Sequence, residues 1–597
     1  MSSPEERRPL LQETFCPDST HPTAASTDDG ERGPMDTSSH VPGKDDDSSP
    51  PNNEPESLYD LKCRMVDLEI ESLGMGKYQW RLWALCGLGY LIDLMWAQAF
   101  GLILSPMQQE LGFGDAQTGN LSTAFSCGLT MGAFMWGILV DIIGRKWAFN
   151  LTVLTASVFG MCLGLPDTYP TILMLTALIG WGVGGNIPID TLITLEFTPS
   201  DRRYLLPLLS IFQPIGVTLC SIIAYGFIPA YSCSPNFTEL EPLPTCVGSK
   251  IPTQSCCTKS DNMGWRYLLF TLGTSTTACF LLRCFAFDVQ ESPKFLIHKD
   301  RDVEAIKVLH HVAKINGKPS SLTLESFQKL EADWDTANGV ENESSMMNRS
   351  RQLQKSWSQK CRLEADRFKI LFSTPRMAKL TTLVWLTYVF DYSGFTIAGQ
   401  LVSYLTKGAL SKLVLTKFTR AGFYLPQIIA LKNGALSLSL RYTYCSYIFI
   451  YFPGTIGVLL GSLLYRTRYF GRKYTMVLSS ALMGISILAF STINTAASTI
   501  GLNMTEYIFQ SMFNAVLYGW TPEVFPASIR GTACGLASFW GRLFGIISPL
   551  IAQRIYGGGT GNGKDANSVL YLAGGVSLLC VVTTVLLPSS SVTKSRP

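Results

Sequence analysis

Glu196-Phe-Thr-Pro199-Ser-Asp-Arg-Arg203 returns in the second half of the chain as Glu523-Val-Phe-Pro526-Ala-Ser-Ile-Arg530. The two stretches lie 523 − 196 = 327 residues apart. Gly144-Arg145-Lys146 likewise returns as Gly471-Arg472-Lys473, and 471 − 144 is again 327. Because two unrelated motifs share one offset, the chain is interpreted as a duplicated unit.

The composition is typical of a membrane protein. Of 597 residues, 47% are hydrophobic and only 16% are charged, which is too little polar surface for a soluble domain of this size. Apolar windows long enough to cross a bilayer recur, six in each half. They lie at about 82–104, 119–140, 147–166, 171–194, 205–230, 266–288, 378–405, 442–465, 473–492, 502–522, 532–553 and 567–587. The prediction is an all-α membrane protein with twelve spans in two pseudo-twofold-related six-helix bundles.

The short turns predict the orientation, because Lys and Arg are enriched on the cytosolic side. Basic residues follow spans 2, 4, 8 and 10, and they are Arg145/Lys146, Arg202/Arg203, Arg472/Lys473 and Arg530. The turns at 105–118, 166–170 and 493–501 contain none. Both chain ends are therefore expected to be cytosolic. The protein itself is expected in the plasma membrane or in an endosomal or vacuolar membrane.

The charge pattern divides the chain further. Residues 1–77 are rich in Ser, Pro and acids, so this tail is expected to be disordered. The expected bundles are 78–288 and 377–587, and 588–597 is a short cytosolic tail. Within the first tail, Glu6-Arg-Arg-Pro-Leu10-Leu11 resembles an acidic dileucine signal, for which a sorting adaptor is the expected partner.

Residues 289–376 form a polar cytosolic linker between the bundles. Apolar residues at helical spacing from Asp302, and again over 323–334, predict two short helices there. Neither soluble segment contains a nucleophile elbow, a phosphate loop or metal-ligand spacing, so the sequence predicts no enzyme activity, no cofactor and no nucleic-acid partner.

One outer loop, at 231–264, concentrates cysteines. It contains four of the sixteen in the chain, namely Cys233, Cys246, Cys256 and Cys257. In an oxidising compartment one or two disulfides are expected, and free thiols are the alternative in a reducing one. Asn236-Phe-Thr238 is a glycosylation acceptor that also requires an outer location.

Residues 407–441 do not fit the duplication. Asp93 in span 1 and Asp391 in span 7 are offset by 391 − 93 = 298, so 327 − 298 = 29 residues are extra between them and the later motifs. The stretch is also basic, although it is expected outside. Either an amphipathic insertion covers the outer surface here, or the gene model includes a translated intron.

The turn after span 2 identifies a family. Gly137-Ile-Leu-Val-Asp141-Ile-Ile-Gly144-Arg145-Lys146 resembles the signature of the major facilitator superfamily except at Ile142. The repeated Glu-Pro-Arg motif and Glu291-Ser-Pro293 resemble the inner-gate motifs of its sugar-porter branch. The resemblance implies a carrier with alternating access and a solute site near the midplane.

The sugar-porter resemblance also implies roles for single residues. Its acids and arginines form ion pairs that hold the two bundles together while the cavity opens outward. On this basis the inner-gate candidates are Gly137, Asp141, Arg145, Lys146, Glu196, Arg203, Glu291, Arg472, Glu523 and Arg530. Arg145 is expected to pair with Glu196, and Arg472 with Glu523; independently solvated charges are the alternative.

The hexose-binding side chains of that branch are mostly absent, and Gln213 in span 5 is the survivor. Gly184-Gly185-Asn186-Ile-Pro188 and Trp520-Thr-Pro-Glu523 are closer to the synaptic-vesicle-transporter-like branch, and the cysteine loop is similar to that of its fungal members. That branch has diverse substrates. The expected solute is therefore small, polar and organic; a sugar is the nearest alternative, and a non-transporting sensor or vesicle protein is the alternative of another class.

Acids in the middle of spans predict proton coupling. Asp93 and Asp391 occupy equivalent depths, where each acid costs roughly 2.5–3.5 kcal/mol unless it is hydrated or neutralised. Such groups could take a proton outside and release it inside. They could instead hydrogen-bond a neighbouring helix or bind a cationic solute directly. The candidates for the solute and proton site are Asp93, Asn186, Asp190, Gln213, Asp391 and Asn514.

Overall fold

The structure, a computed structural model, describes residues 57–113, 117, 119–233, 246, 256–338, 369–410, 440–467, 469–489, 496–557 and 567–588. The dileucine motif at 6–11, the acceptor Asn236 and most of the 407–441 stretch lie outside these residues.

The first half of the chain has six helical spans at the predicted places. They are span 1 (Lys77–Leu111), span 2 (Asn120–Ile143), span 3 (Arg145–Cys162), span 4 (Tyr169–Val183 and Asn186–Phe197), span 5 (Leu205–Leu209 and Phe212–Phe227) and span 6 (Gly264–Leu281 and the π-helical turn Leu282–Ala286). Three shorter helices follow in the linker, at Pro293–His298, Asp302–Asn316 and Leu324–Asn338.

The second half repeats the pattern. It contains span 7 (Pro375–Leu410), span 8 (Leu440–Tyr451 and Gly454–Arg466), span 9 (Gly471–Ala489), span 10 (Ala496–Val524), span 11 (Arg530–Gly557) and span 12 (Asn567–Leu586). Within the described residues, six helical segments are each long and apolar enough to cross a bilayer, and five of them lie in the first half of the chain. The architecture is the predicted pair of six-helix bundles.

Span 4 is broken in the middle for a local reason. Pro188 has no backbone N–H, so the carbonyl four residues earlier, on Gly184, loses its helical donor. Gly184 and Gly185 also allow a close approach to span 2, since a Cβ at Gly184 would lie 2.5 Å from the Leu129 carbonyl oxygen. The break therefore leaves one carbonyl available at mid-membrane depth.

The two bundles meet along spans 2 and 11 and along spans 5 and 8. Gly137 and Gly535 face each other across the first seam, where a Cβ on Gly137 would lie 2.6 Å from the Gly535 Cα. Near the basic turns, Gly519 of span 10 packs equally closely on Pro207 of span 5. Larger side chains at these glycines would force the bundles apart.

The expectation of disorder throughout 1–77 is wrong for its last part. Residues Leu58–Leu73 form a helix whose amino end is capped by the Ser57 hydroxyl and whose carboxyl end passes into Gly74 at a φ of 60°. Val66, Ile70 and Leu73 recur at helical spacing and are buried. The acidic composition of the whole tail concealed this short apolar stripe.

This N-terminal helix packs on the linker helices. Lys62 forms ion pairs with Asp302, at 2.6 Å, and with Glu331, and its ammonium lies 5.5 Å from the centre of the Phe327 ring. Asp67 forms an ion pair with Lys294 at 2.5 Å. The end of the bundles that bears the basic turns is called here the basic face. The N-terminal helix and the linker helices form one layer over this face.

We expect Ile70→Ala to loosen this helix. Truncating a packed Ile costs about 2–5 kcal/mol, so amide hydrogen exchange across 58–73 should accelerate by about 30-fold or more. Leu68→Ala is the matched control, because Leu68 lies on the same helix and is 59% exposed. Similar exchange rates in the two variants would contradict the packing seen here.

Candidate functional site

The first bundle places Asp93 and Asn186 together at mid-depth. The Asn186 side-chain amide donates to Asp93 Oδ1 at 2.8 Å, and both residues are buried. Among the described residues, no group hydrogen-bonds Asp93 Oδ2. The carboxylate is therefore held on one side and available on the other.

Asp190 has a full partner that the sequence analysis missed. Arg283, in the π-helical turn of span 6, pairs with Asp190 at 3.3 Å, and both side chains are fully buried. Arg283 also donates to the Phe149 carbonyl at 2.9 Å and lies 3.7 Å from the centre of its ring. An Arg near the cytosolic-side end of an apolar run was the available signal, since such a charge requires a buried acid.

A second missed residue, Arg542 of span 11, joins the bundles. Its guanidinium donates to the carbonyl oxygens of Gly184, at 2.6 Å, and Leu129, at 3.1 Å. The Gly184 carbonyl is the one that Pro188 leaves without a helical donor. Arg542 also lies within electrostatic reach of Asp93. A cation of the second bundle thus contacts the break in span 4 next to the Asp93–Asn186 pair.

The second bundle contains two acids without such partners. Asp391 on span 7 is 1% exposed, and Asp391 and Glu506 on span 10 lie within electrostatic reach of each other. In the part of the chain that the structure describes, Asp391 Oδ1 and Glu506 Oε1 accept no hydrogen bond. No described Lys, Arg or His forms an ion pair with either acid within 4.0 Å. Glu506 was not among the sequence candidates.

Glu506 belongs to a polar stripe along one face of span 10. The stripe comprises Asn503, Glu506, Gln510 and Asn514, which recur every three or four residues and therefore share a helix face. Within the described residues, each has a buried side-chain nitrogen or oxygen that lacks a hydrogen-bond partner. Only Asn514 was predicted. The spacing of 3, 4 and 4 residues between these polar positions was the signal that would have identified the others.

Tyrosines of spans 7 and 10 lie near the stripe, on the side of the basic face. The hydroxyls of Tyr392 and Tyr518 lie 3.0 Å apart, and Tyr388 lies 3.1 Å from the Thr521 hydroxyl. Between the bundles at this level there remains a cavity of ≈ 10 Å³, lined in part by Cys534. Such a space admits about one water molecule. Gln213 is buried on span 5 of the first bundle.

At the basic face, each predicted acid and arginine pair lies within one bundle. In the first bundle Arg145 lies 3.5 Å from Glu196 and 3.3 Å from Asp141. In the second, Arg472 lies 2.9 Å from Glu523. The pairs are therefore brought together at equivalent positions, but they do not themselves cross from one bundle to the other.

Other contacts cross. Asp141 accepts from the backbone N–H and the hydroxyl of Thr532, both at 3.0 Å, and so caps the amino end of span 11 in the opposite bundle. Gly531 makes room for it, since a Cβ there would lie 2.8 Å from the Asp141 carboxylate. Arg203 lies within electrostatic reach of Glu523 across the same face. These contacts join the two bundles at the basic face.

The remaining gate candidates support the turns. Glu291 accepts from the backbone N–H groups of Arg145, at 2.8 Å, and Lys146, at 3.2 Å. Burial raises the pKa of the Glu291 carboxyl, whereas Arg145 and these N–H groups act in the opposite direction. Arg530 donates to the Phe525 carbonyl at 3.2 Å. Glu291 thus ties the linker to the amino end of span 3.

The opposite end contains the cysteine loop. Cys233 is joined to Cys257, and Cys246 to Cys256. Beside them, Arg266 pairs with Glu110 at 2.7 Å and with Asp167 at 2.9 Å. The start of span 6 is thereby tied to the end of span 1, and two disulfides join the four cysteines that precede it in the chain.

The chain is similar to known membrane transporters. The family model of the Major Facilitator Superfamily matches residues 86–466. "MFS siderochrome iron transporter 1" of Ceriporiopsis subvermispora is 35% identical over 496 residues, which cover 83% of this chain and 85% of the relative. The synaptic vesicle 2-related protein of Bos taurus is 24% identical over 501 residues, covering 82% and 75%. The fold resembles that of the proton:xylose symporter XylE bound to 6-bromo-6-deoxy-D-glucose, with a TM-score of 0.60 at 14% identity, covering 86% of this chain and 96% of that one.

These matches confirm the family prediction and the helical fold. They also confirm that the similar proteins are transporters and not enzymes.

We expect loss of either gate pair to open the basic face. Removing Arg145 would leave Asp141 and Glu196 as buried acids without their cation, which costs about 3–5 kcal/mol and would favour states in which these acids are hydrated. The Arg472 side chain is 32% exposed beside the buried Glu523, so its removal is expected to cost less. In Arg145→Gln or Arg472→Gln, modification of Cys534 by N-ethylmaleimide should be at least about tenfold faster, as site-resolved mass spectrometry would show.

Arg202→Gln is the matched control for this measurement, because Arg202 is exposed and pairs only with its neighbour Asp201 among the described residues. Cys220, buried inside the first bundle, is the internal reference. Unchanged Cys534 reactivity in both gate variants would mean that the pairs do not hold the face closed.

We expect four cysteines to become alkylated only after reduction. Closing a 24-residue loop with a disulfide contributes about 3 kcal/mol to the stability of that loop. Peptide mapping with and without reductant should place the crosslinks at Cys233–Cys257 and Cys246–Cys256. Alkylation of these four residues without reductant would reject the crosslinks.

Proposed function

The chain belongs to the major facilitator superfamily, an integral membrane family of transporters, and we propose that this protein is a proton-coupled secondary active carrier of a small polar organic solute. The basic face is assigned to the cytosol. Transport follows alternating access, in which the bundles rock about a central site.

The polar stripe of span 10 carries this proposal. Buried polar groups cost free energy unless they are hydrogen-bonded, and four successive stripe residues have an atom without a protein partner among the described residues. A bound polar solute would provide those partners. Glu506, Gln510 and Asn514 offer acceptor oxygens and Asn503 offers an amide donor, so the solute is expected to be rich in hydrogen-bond donors.

The charge of this region favours a solute that carries an amine or another cation. Asp391 and Glu506 have no described basic partner, and the rings of Tyr451 and Tyr507 lie 5.0 Å apart beside Glu506. Carboxylates and tyrosine rings both attract an organic cation. The amide groups of the stripe also fit sugar hydroxyls, which keeps a sugar as the second candidate.

The first bundle supports coupling. Asp93 has one oxygen bound to Asn186 and lies within reach of Arg542, which contacts the break in span 4. Protonation of Asp93 would remove its attraction for the Arg542 cation. Because Arg542 bridges the two bundles, the proton would weaken a contact that resists their rocking.

Measurements of solute flux would identify the substrate. Purified protein in liposomes would be tested with and without an inward proton gradient against organic amines, sugars, organic acids, inorganic phosphate and a ferric siderochrome, the last because of the name of the relative. Gradient-driven uptake of an amine would support the proposal. A ligand that binds and signals without flux would favour the sensor alternative.

We expect Asp93→Asn to reduce gradient-driven accumulation strongly while solute exchange continues. Coupling free energies between two ligands of one protein are typically 1–3 kcal/mol, so accumulation should fall by about 5- to 150-fold. Glu506→Gln should instead raise the KM by about 10- to 150-fold, since a hydrogen bond to a charged group contributes about 1.5–3 kcal/mol.

Asp201→Asn is the matched control, because this exposed acid lies outside the site and pairs with Arg202. Full gradient-driven accumulation in Asp93→Asn and in Asp391→Asn would reject proton coupling at these acids. An unchanged KM in Glu506→Gln would reject the proposal that the solute binds at span 10.

A further inference from the structure

A cleft of ≈ 560 Å³ opens at the basic face where span 1 begins. Three segments form its walls: the end of the N-terminal helix at Leu73, the first turn of span 1 from Gly76 to Arg81, and the end of the middle linker helix from Asn316 to Lys318. The predicted transport site does not reach it. We propose that this cleft binds the phosphate-bearing headgroup of an anionic membrane lipid.

The charge of the cleft favours an anion. Lys77, Arg81 and Lys318 line it, and no acidic residue does so in the part of the chain that the structure describes. Lys77 and Arg81 are one helical turn apart, an arrangement of like charges that is unfavourable unless an anion lies between them. The amino end of the 35-residue span 1 adds partial positive charge in the same place.

The shape of the cleft is fixed by hydrogen bonds among its walls. The Lys318 ammonium donates to the Leu73 carbonyl at 2.9 Å, and Asn316 Oδ1 accepts from the Tyr78 backbone N–H at 3.0 Å. The Gln79 side chain accepts from the Asn316 amide at 2.9 Å. The three walls are therefore held together, and a bound headgroup would contact all of them.

A lipid is favoured over a soluble phosphate because of where the cleft lies. Trp80 is on its wall, is 49% exposed and stands at the start of a helix that crosses the membrane, the position at which interfacial Trp residues meet headgroups. Basic pockets at the cytosolic interface bind anionic headgroups. The headgroup would hold the N-terminal helix and the linker against the bilayer surface.

The test is native mass spectrometry of the full chain in detergent, titrated with phosphatidylinositol 4-phosphate or phosphatidylcholine. We expect one tightly bound phosphoinositide. Each Lys or Arg near an anionic lipid contributes about fivefold in affinity, so Lys77→Gln/Arg81→Gln should raise the Kd about 25-fold.

Lys307→Gln/Lys314→Gln is the matched control, since it removes two exposed charges of the middle linker helix outside the cleft lining. A melting temperature equal to that of the control would show that the cleft variant is folded. Equal loss of lipid binding in both double variants, or no phosphoinositide preference, would overturn the proposal. Displacement of the lipid by equimolar inorganic phosphate would reject a lipid as the ligand of the cleft and assign a soluble anion instead.

Discussion

The contact between Arg542 and the break in span 4 is the one on which the central architecture depends. A membrane interior has no water to satisfy a free carbonyl, so the carbonyl that Pro188 leaves without a donor requires a donor from elsewhere in the protein. Arg542 supplies it from the opposite bundle, at 2.6 Å from the Gly184 oxygen. A defect in one helix thereby becomes a link between two bundles.

The same logic explains the basic face. The amino end of span 11 has backbone N–H groups without helical acceptors, and Asp141 of the other bundle accepts from the one on Thr532. Arg145 holds Asp141 in place and also contacts Glu196. The ion pairs within a bundle thus position the carboxylate that crosses to the other bundle. The two bundles are therefore joined at this face by a helix cap.

The sequence was sufficient for the fold because duplication and hydropathy are properties of the chain itself. The repeated Glu-Pro-Arg motif located the equivalent helix ends, and twelve apolar windows located the spans. It was insufficient for Arg283 and Arg542, because a buried cation is recognised by its partner, and Asp190 and Gly184 are distant in the chain. The N-terminal helix was missed for another reason: its four buried apolar residues are outnumbered by the polar residues of the tail around them.

The two bundles treat their buried acids differently, and this difference suggests a division of roles. In the first bundle Asp190 is neutralised by Arg283, and Asn186 binds one oxygen of Asp93 while the other has no partner among the described residues. In the second, Asp391, Glu506 and the amides of span 10 retain buried atoms without partners among the described residues. An unsatisfied buried group is costly in the empty protein and favourable once a ligand satisfies it. This contrast supports the proposal that the solute binds in the second bundle, and the contact of Arg542 with span 4 supports the proposal that Asp93 controls when the bundles move.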